Sequence, residues 1–223
     1  MIEGQPLIDL DWIVRNLDDI GQRTVDHVVL TVLAVGIGFV ISFGLALMVR
    51  RWRRLGAPVF AVSGTLYSIP SLALFSLLIP FTGIQSILTA EIALVSYTIL
   101  ILVRNIVAGL DGVPPDVIEA AEGTGYGSWQ RLWRVELPVA LPVIIAGLRI
   151  ATVTTVGLVT VTALIGLQSL GSLIVNIGLA RFFFTATLVG SLGAVALAVA
   201  ADLGLTLLQR ALTPWARARA TGT

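Results

Sequence analysis

Few residues in this sequence have the types and spacing to do chemistry, and they make no catalytic set. Glu119, Ala120 and Ala121 stand together, followed by Gly125 and then Val135, Leu137 and Pro138. A carboxylate beside two small residues offers an ionic group on a surface that another protein can approach closely. Arg149 and Asp202 lie inside apolar stretches, where a charge is costly unless it finds a partner. All 14 basic residues are arginine, there is no Cys, and His27 is the one histidine. Thiolate and multi-histidine metal sites are thereby excluded. A Gly-x-x-x-x-Gly-Lys-Ser/Thr phosphate loop needs a lysine that the chain lacks. The available chemistry is docking and intramembrane ion pairing. No catalytic, cofactor-binding or metal-ligating residues are expected.

Those residues must be held by membrane helices. Hydrophobic residues make up 57% of 223 and charged residues 12%, against about 25% charged in a soluble domain. Mean hydropathy is +0.97. The expected fold is all-α and polytopic. A helix needs about 20 apolar residues to cross a bilayer, and five stretches qualify, near 28–49, 57–80, 85–108, 139–164 and 185–208. Arg50, Arg51, Arg53 and Arg54 follow the first; Arg131 and Arg134 lie between the third and fourth; Arg210, Arg217 and Arg219 follow the last. Five crossings put these on one side, with Arg15, Arg23 and Arg181 on the other. The positive-inside rule then places the N-terminus outside and the C-terminus in the cytoplasm. The expected organisation is an external segment over 1–27, a transmembrane unit over 28–210 with a cytoplasmic loop at about 111–138, and a cytoplasmic tail over 211–223. The acidic N-terminus lacks the basic start of a signal peptide. Near it, Ile8, Trp12, Ile13, Leu17 and Ile20 fit a short helix on the outer membrane surface, or an ordinary polar lead-in. A net charge of +1 gives no basic surplus for nucleic acid.

The loop between spans three and four is a polar island. Pro114 and Pro115 suit the start of a helix, which Gly123, Gly125 and Gly127 break. Ser128 is placed to cap a second short helix over Trp129 to Val135, and Pro138 and Pro142 open span four. From periodicity alone, a plain amphipathic connection remains an open reading.

The spacing Glu-Ala-Ala, three residues, Gly, nine residues, an aliphatic, one residue, Leu-Pro resembles the signature of permease subunits of binding-protein-dependent ABC importers. The sequence carries it as Glu119-Ala120-Ala121, Gly125, Val135 and Leu137-Pro138, with Val135 where Ile is usual. The resemblance implies that the short helix is a coupling helix docking in a groove of a cytoplasmic ATPase subunit, which holds ATP and Mg. It further implies a second permease subunit, identical or paralogous, and an external substrate-binding protein. Tyr67 to Phe75 (Tyr-Ser-Ile-Pro-Ser-Leu-Ala-Leu-Phe) and Pro6 to Trp12 resemble the subfamily importing glycine betaine, carnitine, choline and related osmoprotectants. One stretch departs: Ile165-Gly166-Leu167-Gln168-Ser169-Leu170-Gly171 has fewer glycines than relatives there, which implies a stiffer loop.

Within the spans, Ala186, Gly190, Ala194, Ala198 and Asp202 recur every four residues, as do Ala34, Gly38, Ser42 and Ala46. Small residues at that spacing let helices pack closely in lipid; packing inside the chain and a contact between permease subunits both fit. Arg149 lies about 16 Å of helix past Pro138 and Asp202 about 12 Å before Arg210. The two can pair, or Arg149 can snorkel to the headgroups. Arg149, Thr152, Thr155, Thr160 and Thr162 fall within an arc of about 160°. With Tyr67, residues Thr152, Thr155 and Thr162 are candidates for lining a path, though threonine also satisfies itself on its own helix. Pro70 is expected to kink span two. Glu91 is expected at the outer interface.

The expected function is a permease moving an osmoprotectant with energy from a partner ATPase, in a bacterial cell membrane and among its lipids. A permease for another small solute is the nearest alternative. An ion-gradient transporter would use Asp202, Arg149 and Glu91 as a relay, but no inverted repeat is visible. A membrane scaffold fits the composition and leaves the spaced signature without a reason.

Overall fold

The computed structural model describes residues 8–215. Pro6 and Leu7 of the N-terminal resemblance, and Arg217 and Arg219, lie outside them. The described residues form nine helices and no strand. These are α1 (Leu10–Arg15), α2 (Leu17–Arg51), α3 (Gly56–Ser68), α4 (Ser71–Thr82), α5 (Ile87–Asp111), α6 (Pro115–Gly123), α7 (Ser128–Ile165), α8 (Leu170–Leu179) and α9 (Phe184–Leu212). Four are long and apolar enough to cross a membrane: α2, α5, α7 and α9. The second expected span, near 57–80, is α3 and α4 together, bent by 96°.

The bend follows from one proline. A residue before proline is pushed out of the helical region, and Ile69 sits at φ −66°, ψ 127°. Pro70 has no N–H to continue the ladder. The Ile69 carbonyl so released accepts a hydrogen bond from the Tyr97 hydroxyl on α5 at 2.6 Å. The expected kink is thus a full break that turns α4 away from the axis of α3.

Two further boundaries differ from expectation. The helix that carries the first span starts well before 28: α2 is helical from Leu17, since the stretch to His27 has no proline and Gly21 alone does not stop a helix. The second short helix of the island is not separate. Ser128 to Ile165 is one continuous element, passing through a π-helical turn at Leu132–Glu136. Pro138 stands in the first turn of the α-helical run that follows the π-helical turn, and Ser128 makes no side-chain cap.

Helix α5 is the hub, with 56% of its apolar stretch buried against 6% for α9. One half of the core gathers Leu30, Ala34, Phe75, Leu94 and Val159. The half near the arginines gathers Ala46, Leu102, Ile106, Leu110, Leu132 and Ile144. Ala34, Gly38, Ser42 and Ala46 are all buried, and a methyl added at Gly38 would collide with Thr98 of α5. That stripe is therefore consumed inside the chain. Of the stripe on α9 only Ala186 and Gly190 are buried; a Cβ on Gly190 would lie 2.7 Å from the Leu170 carbonyl. Ala194, Ala198 and Asp202 remain half-buried beyond that contact.

At the other end, α1 is capped by Asp9, whose side chain accepts from the Trp12 N–H at 2.8 Å. The Asp9 N–H donates to Thr185, and the Trp12 ring meets Phe183 edge-on at 5.1 Å. Helix α1 is thus tied to the start of α9. The glycine-poor stretch 165–171 is held too. Arg23 donates to Gln168 and Ser172, and Ser169 caps α8 through the Gly171 N–H at 3.1 Å.

Candidate functional site

Helix α6 leaves α5 through Gly112, Val113 and Pro114, and starts on Pro115, where a missing N–H costs nothing. Its one side packs inward: Ala121 is buried, and Val117 and Ile118 lean on the arginine-side core. Glu119 and Ala120 are exposed on the other side. Ala121 therefore serves close packing within the chain, a correction to its expected place on the docking surface. Gly125 has φ +85°, a left-handed conformation that closes a helix C-terminus and that glycine adopts without strain. Its N–H reaches the Glu122 carbonyl at 2.9 Å, and the Tyr126 N–H reaches that of Ala121 at 3.2 Å. The glycine of the motif shapes the turn. Val135, Leu137 and Pro138 lie half-buried where α7 enters the bundle.

Glu136, the residue between Val135 and Leu137 to which the spacing assigns no role, holds this end together. It is 1% exposed. Its carboxylate accepts from Arg131 Nε at 2.6 Å and from Arg50 Nη1. Arg131 also bonds Glu122 on α6. Asp111, at the end of α5, accepts from Arg53 at 2.6 Å and 3.1 Å and lies 4.0 Å from Arg50. One ionic network therefore ties α6 to α2, α5 and α7. The sequence signal was an acid between two aliphatics, in a loop facing an arginine cluster; its partner is 86 residues away in the chain.

Deeper in the bundle, Arg149 of α7 meets Asp202 of α9 through Nε to Oδ1 and Nη2 to Oδ2, both 2.8 Å. The pair lines a groove of about 620 Å³ with Ile150, Val153 and Ala198. Of the threonines, Thr155 and Thr162 are 1% and 0% exposed. Their hydroxyls bond the carbonyls of Ala151 and Val159 on their own helix. Neither lines an open path, a correction caused by helix-on-helix packing that a single-helix projection does not show. Thr152 lines a separate cleft between α2 and α9. Tyr67 is 41% exposed beside the broken span, its ring edge-on to Tyr97 at 6.0 Å. Glu91, in the first turns of α5, is buried at 8% exposure, and neither carboxylate oxygen has a hydrogen-bond partner among the described residues.

Residues 34–218 match the family model described as binding-protein-dependent transport system inner membrane component. The osmoprotectant import permease protein OsmW of Salmonella typhimurium is 36% identical over 92% of this chain and 97% of its own length. The glycine betaine/carnitine/choline transport system permease protein OpuCD of Bacillus subtilis is 33% identical, over 86% of this chain and 84% of its own. Among solved structures, an inward-facing form of the MetNI methionine ABC transporter superimposes with a TM-score of 0.78 at 21% identity, covering 89% of this chain and 98% of that one. A chain of a bacterial alginate ABC transporter reaches 0.75 at 17% identity, covering 92% and 84%. At those identities the structures speak for the fold alone. With a model match over most of its length and a full-length relative at 36% identity, this chain belongs to the family of binding-protein-dependent transport system inner membrane components.

Proposed function

We propose that the chain is the permease subunit of an ABC importer for osmoprotectants, a quaternary amine such as glycine betaine, choline or carnitine being the substrate class. The observation that carries the coupling role is α6: an exposed Glu119 and Ala120 on a short helix that Glu122 ties, through Arg131, Glu136, Arg50 and Asp111, to three spans. A load applied to that helix moves those spans rather than bending a loop. The absence of lysine, and so of a phosphate loop, supports a separate ATPase subunit that binds ATP and Mg. The arginine-rich end is then cytoplasmic and the N-terminus external. Two permease subunits, identical or paralogous, complete a pathway too large for one such bundle, and an external binding protein delivers the solute.

The substrate class rests on the names of the curated relatives, with the Tyr67 to Phe75 segment as its counterpart in this sequence. Irregular backbone at membrane depth is tolerated only against protein or a water-filled cavity. The broken span and exposed Tyr67 therefore support a place beside the pathway, and Thr152 and the Arg149–Asp202 pair are the next candidates. The test is substrate-stimulated ATPase activity of the reconstituted complex, with its binding protein, across betaine, choline, carnitine and proline. Stimulation by one or more quaternary amines is expected. Stimulation by an unrelated solute alone would move the chain to another substrate class, and transport by the chain alone on an ion gradient would end the proposal.

A further inference from the structure

A cleft runs between α2 and the first turns of α7, and its two halves differ in chemistry. The half nearer the bundle centre is a groove of about 500 Å³ lined by Phe39, Phe43, Trp133, Leu137 and Leu141. The half at the arginine-rich end is a cavity of about 630 Å³ lined by Leu47, Trp129, Glu136 and four arginines, Arg50, Arg51, Arg53 and Arg131. The two adjoin, since Trp133 lines the first and Trp129 the second. Phe39, Phe43, Leu47 and Arg51 recur every four residues on α2, a row that winds about 120° round the helix and supplies a wall to both. On the facing wall Trp129 and Trp133 pack ring to ring at 5.6 Å, and Phe43 meets Trp133 at 6.1 Å. From Phe39 to Arg51 is about 18 Å of helix, close to one leaflet's share of a hydrocarbon core of about 30 Å.

The charge in the cavity is unbalanced. Glu136 is its one carboxylate and is already shared by Arg50 and Arg131. Arg53 is paired with Asp111. Arg51 has no acidic partner among the described residues, is exposed, and lines the cavity. An apolar groove beside a cavity with a surplus guanidinium, the two together about a leaflet deep, matches a molecule with an acyl chain and an anionic head. A basic site at the cytoplasmic membrane surface is where acidic headgroups are held, and arginine binds phosphate in a planar two-point geometry.

We propose that this cleft binds an anionic phospholipid of the cytoplasmic leaflet, its acyl chain against Phe39, Phe43 and Trp133 and its phosphate at Arg51. The assignment to that leaflet rests on the orientation proposed above, but the binding itself does not. The bound lipid would lie against the same helix turns that carry the Arg50–Glu136–Arg131 network, and so would act on the position of α6.

The full-length chain in phosphatidylcholine micelles, titrated with phosphatidylglycerol bearing dibrominated acyl chains, reads occupancy through quenching of indole fluorescence. Dibrominated phosphatidylcholine is the comparison. Half-maximal quenching is expected at a several-fold lower mole fraction of the anionic lipid. Arg51→Gln should weaken that preference about fivefold, and Trp133→Leu should remove much of the saturating signal. Because Arg51 is exposed and unpaired, its substitution leaves the fold intact. Equal quenching by the two lipids, or a preference unchanged in Arg51→Gln, would overturn the proposal. So would displacement by inorganic phosphate alone, which would mark a free-anion site. Loss of the preference when the ATPase subunit is bound would overturn it as well, and would identify the cleft as a subunit contact. The micelle assay is indifferent to insertion direction, so its failure is distinct from a failure of the topology.

Discussion

Arg149 and Asp202, 53 residues apart in the chain, meet through two parallel hydrogen bonds of 2.8 Å each. The guanidinium fork and the carboxylate are in the bidentate arrangement that gives this pair its geometric specificity. The contact joins α9, the least buried span, to α7, with Gln209 to the Pro142 carbonyl at 3.4 Å as a second tie on the same helix pair.

A charge swap tests that pair. Arg149→Asp and Asp202→Arg are each expected to abolish most transport, since each leaves two like charges facing one another inside the membrane. The double variant is expected to recover a measurable part of it in an uptake assay. Full transport by Arg149→Ala would show that the pair is dispensable.

Glu136→Gln removes the charge that two arginines share. Breaking a fully buried ion pair costs ~3–5 kcal/mol; here Arg50 and Arg131 are each 21% exposed and reach water, so the loss should fall below that range. Glu122→Gln, at a side chain 55% exposed, should cost at most about 1 kcal/mol. Thermal unfolding of the purified chain measures both, and similar melting temperatures for the two variants would contradict the hierarchy.

On α6, Glu119→Arg should leave the chain folded and reduce co-purification of its ATPase subunit, because Glu119 is exposed and its side chain makes no hydrogen bond or ion pair among the described residues. Gly125→Ala acts differently. At φ +85° an alanine pays roughly 1–2 kcal/mol, which loosens the turn before it touches any partner. The two should separate in one experiment: Glu119→Arg with unchanged melting and lost ATPase, Gly125→Ala with lowered melting. Normal ATPase retention by Glu119→Arg would remove α6 from the docking role.

Tyr97→Phe deletes the hydroxyl that holds the Ile69 carbonyl at 2.6 Å. With no water in the hydrocarbon region to replace it, an unsatisfied carbonyl costs about 1–3 kcal/mol. A measurable fall in thermal stability is expected. If Tyr97→Phe melts with the parent, the freed carbonyl is being met by water, and the break lines an aqueous space even in the isolated chain.

Much of this was legible in one dimension. The apolar runs that became α2, α5, α7 and α9 are continuous in the sequence, and hydrophobic length is a local property. The punctuation of α6 was readable too, since Pro115 and Gly125 act through their own φ angles. The 96° break was visible only as Pro70, because the size of a bend depends on what receives the freed carbonyl. The fused start of α7 was missed for a related reason: a helix survives Pro138 and Pro142 when lost hydrogen bonds are few and packing repays them. Thr155 and Thr162 show the converse error, a polar stripe whose hydroxyls turned out to bond their own helix.

The sequence by itself determined that this is a multi-spanning membrane protein with the spaced Glu-Ala-Ala, Gly and Leu-Pro signature and no phosphate loop of its own. Each of these follows from residue types at short spacing. Only the tertiary structure decided that Ala121 faces inward, that Glu136 is the shared anion of Arg50 and Arg131, that Glu91 is buried, and that Arg149 reaches Asp202. Those contacts join residues far apart in the chain, and whether two helices bring them within hydrogen-bond reach depends on how close their backbones can approach, at small residues such as Gly38 and Gly190, and at what rotation.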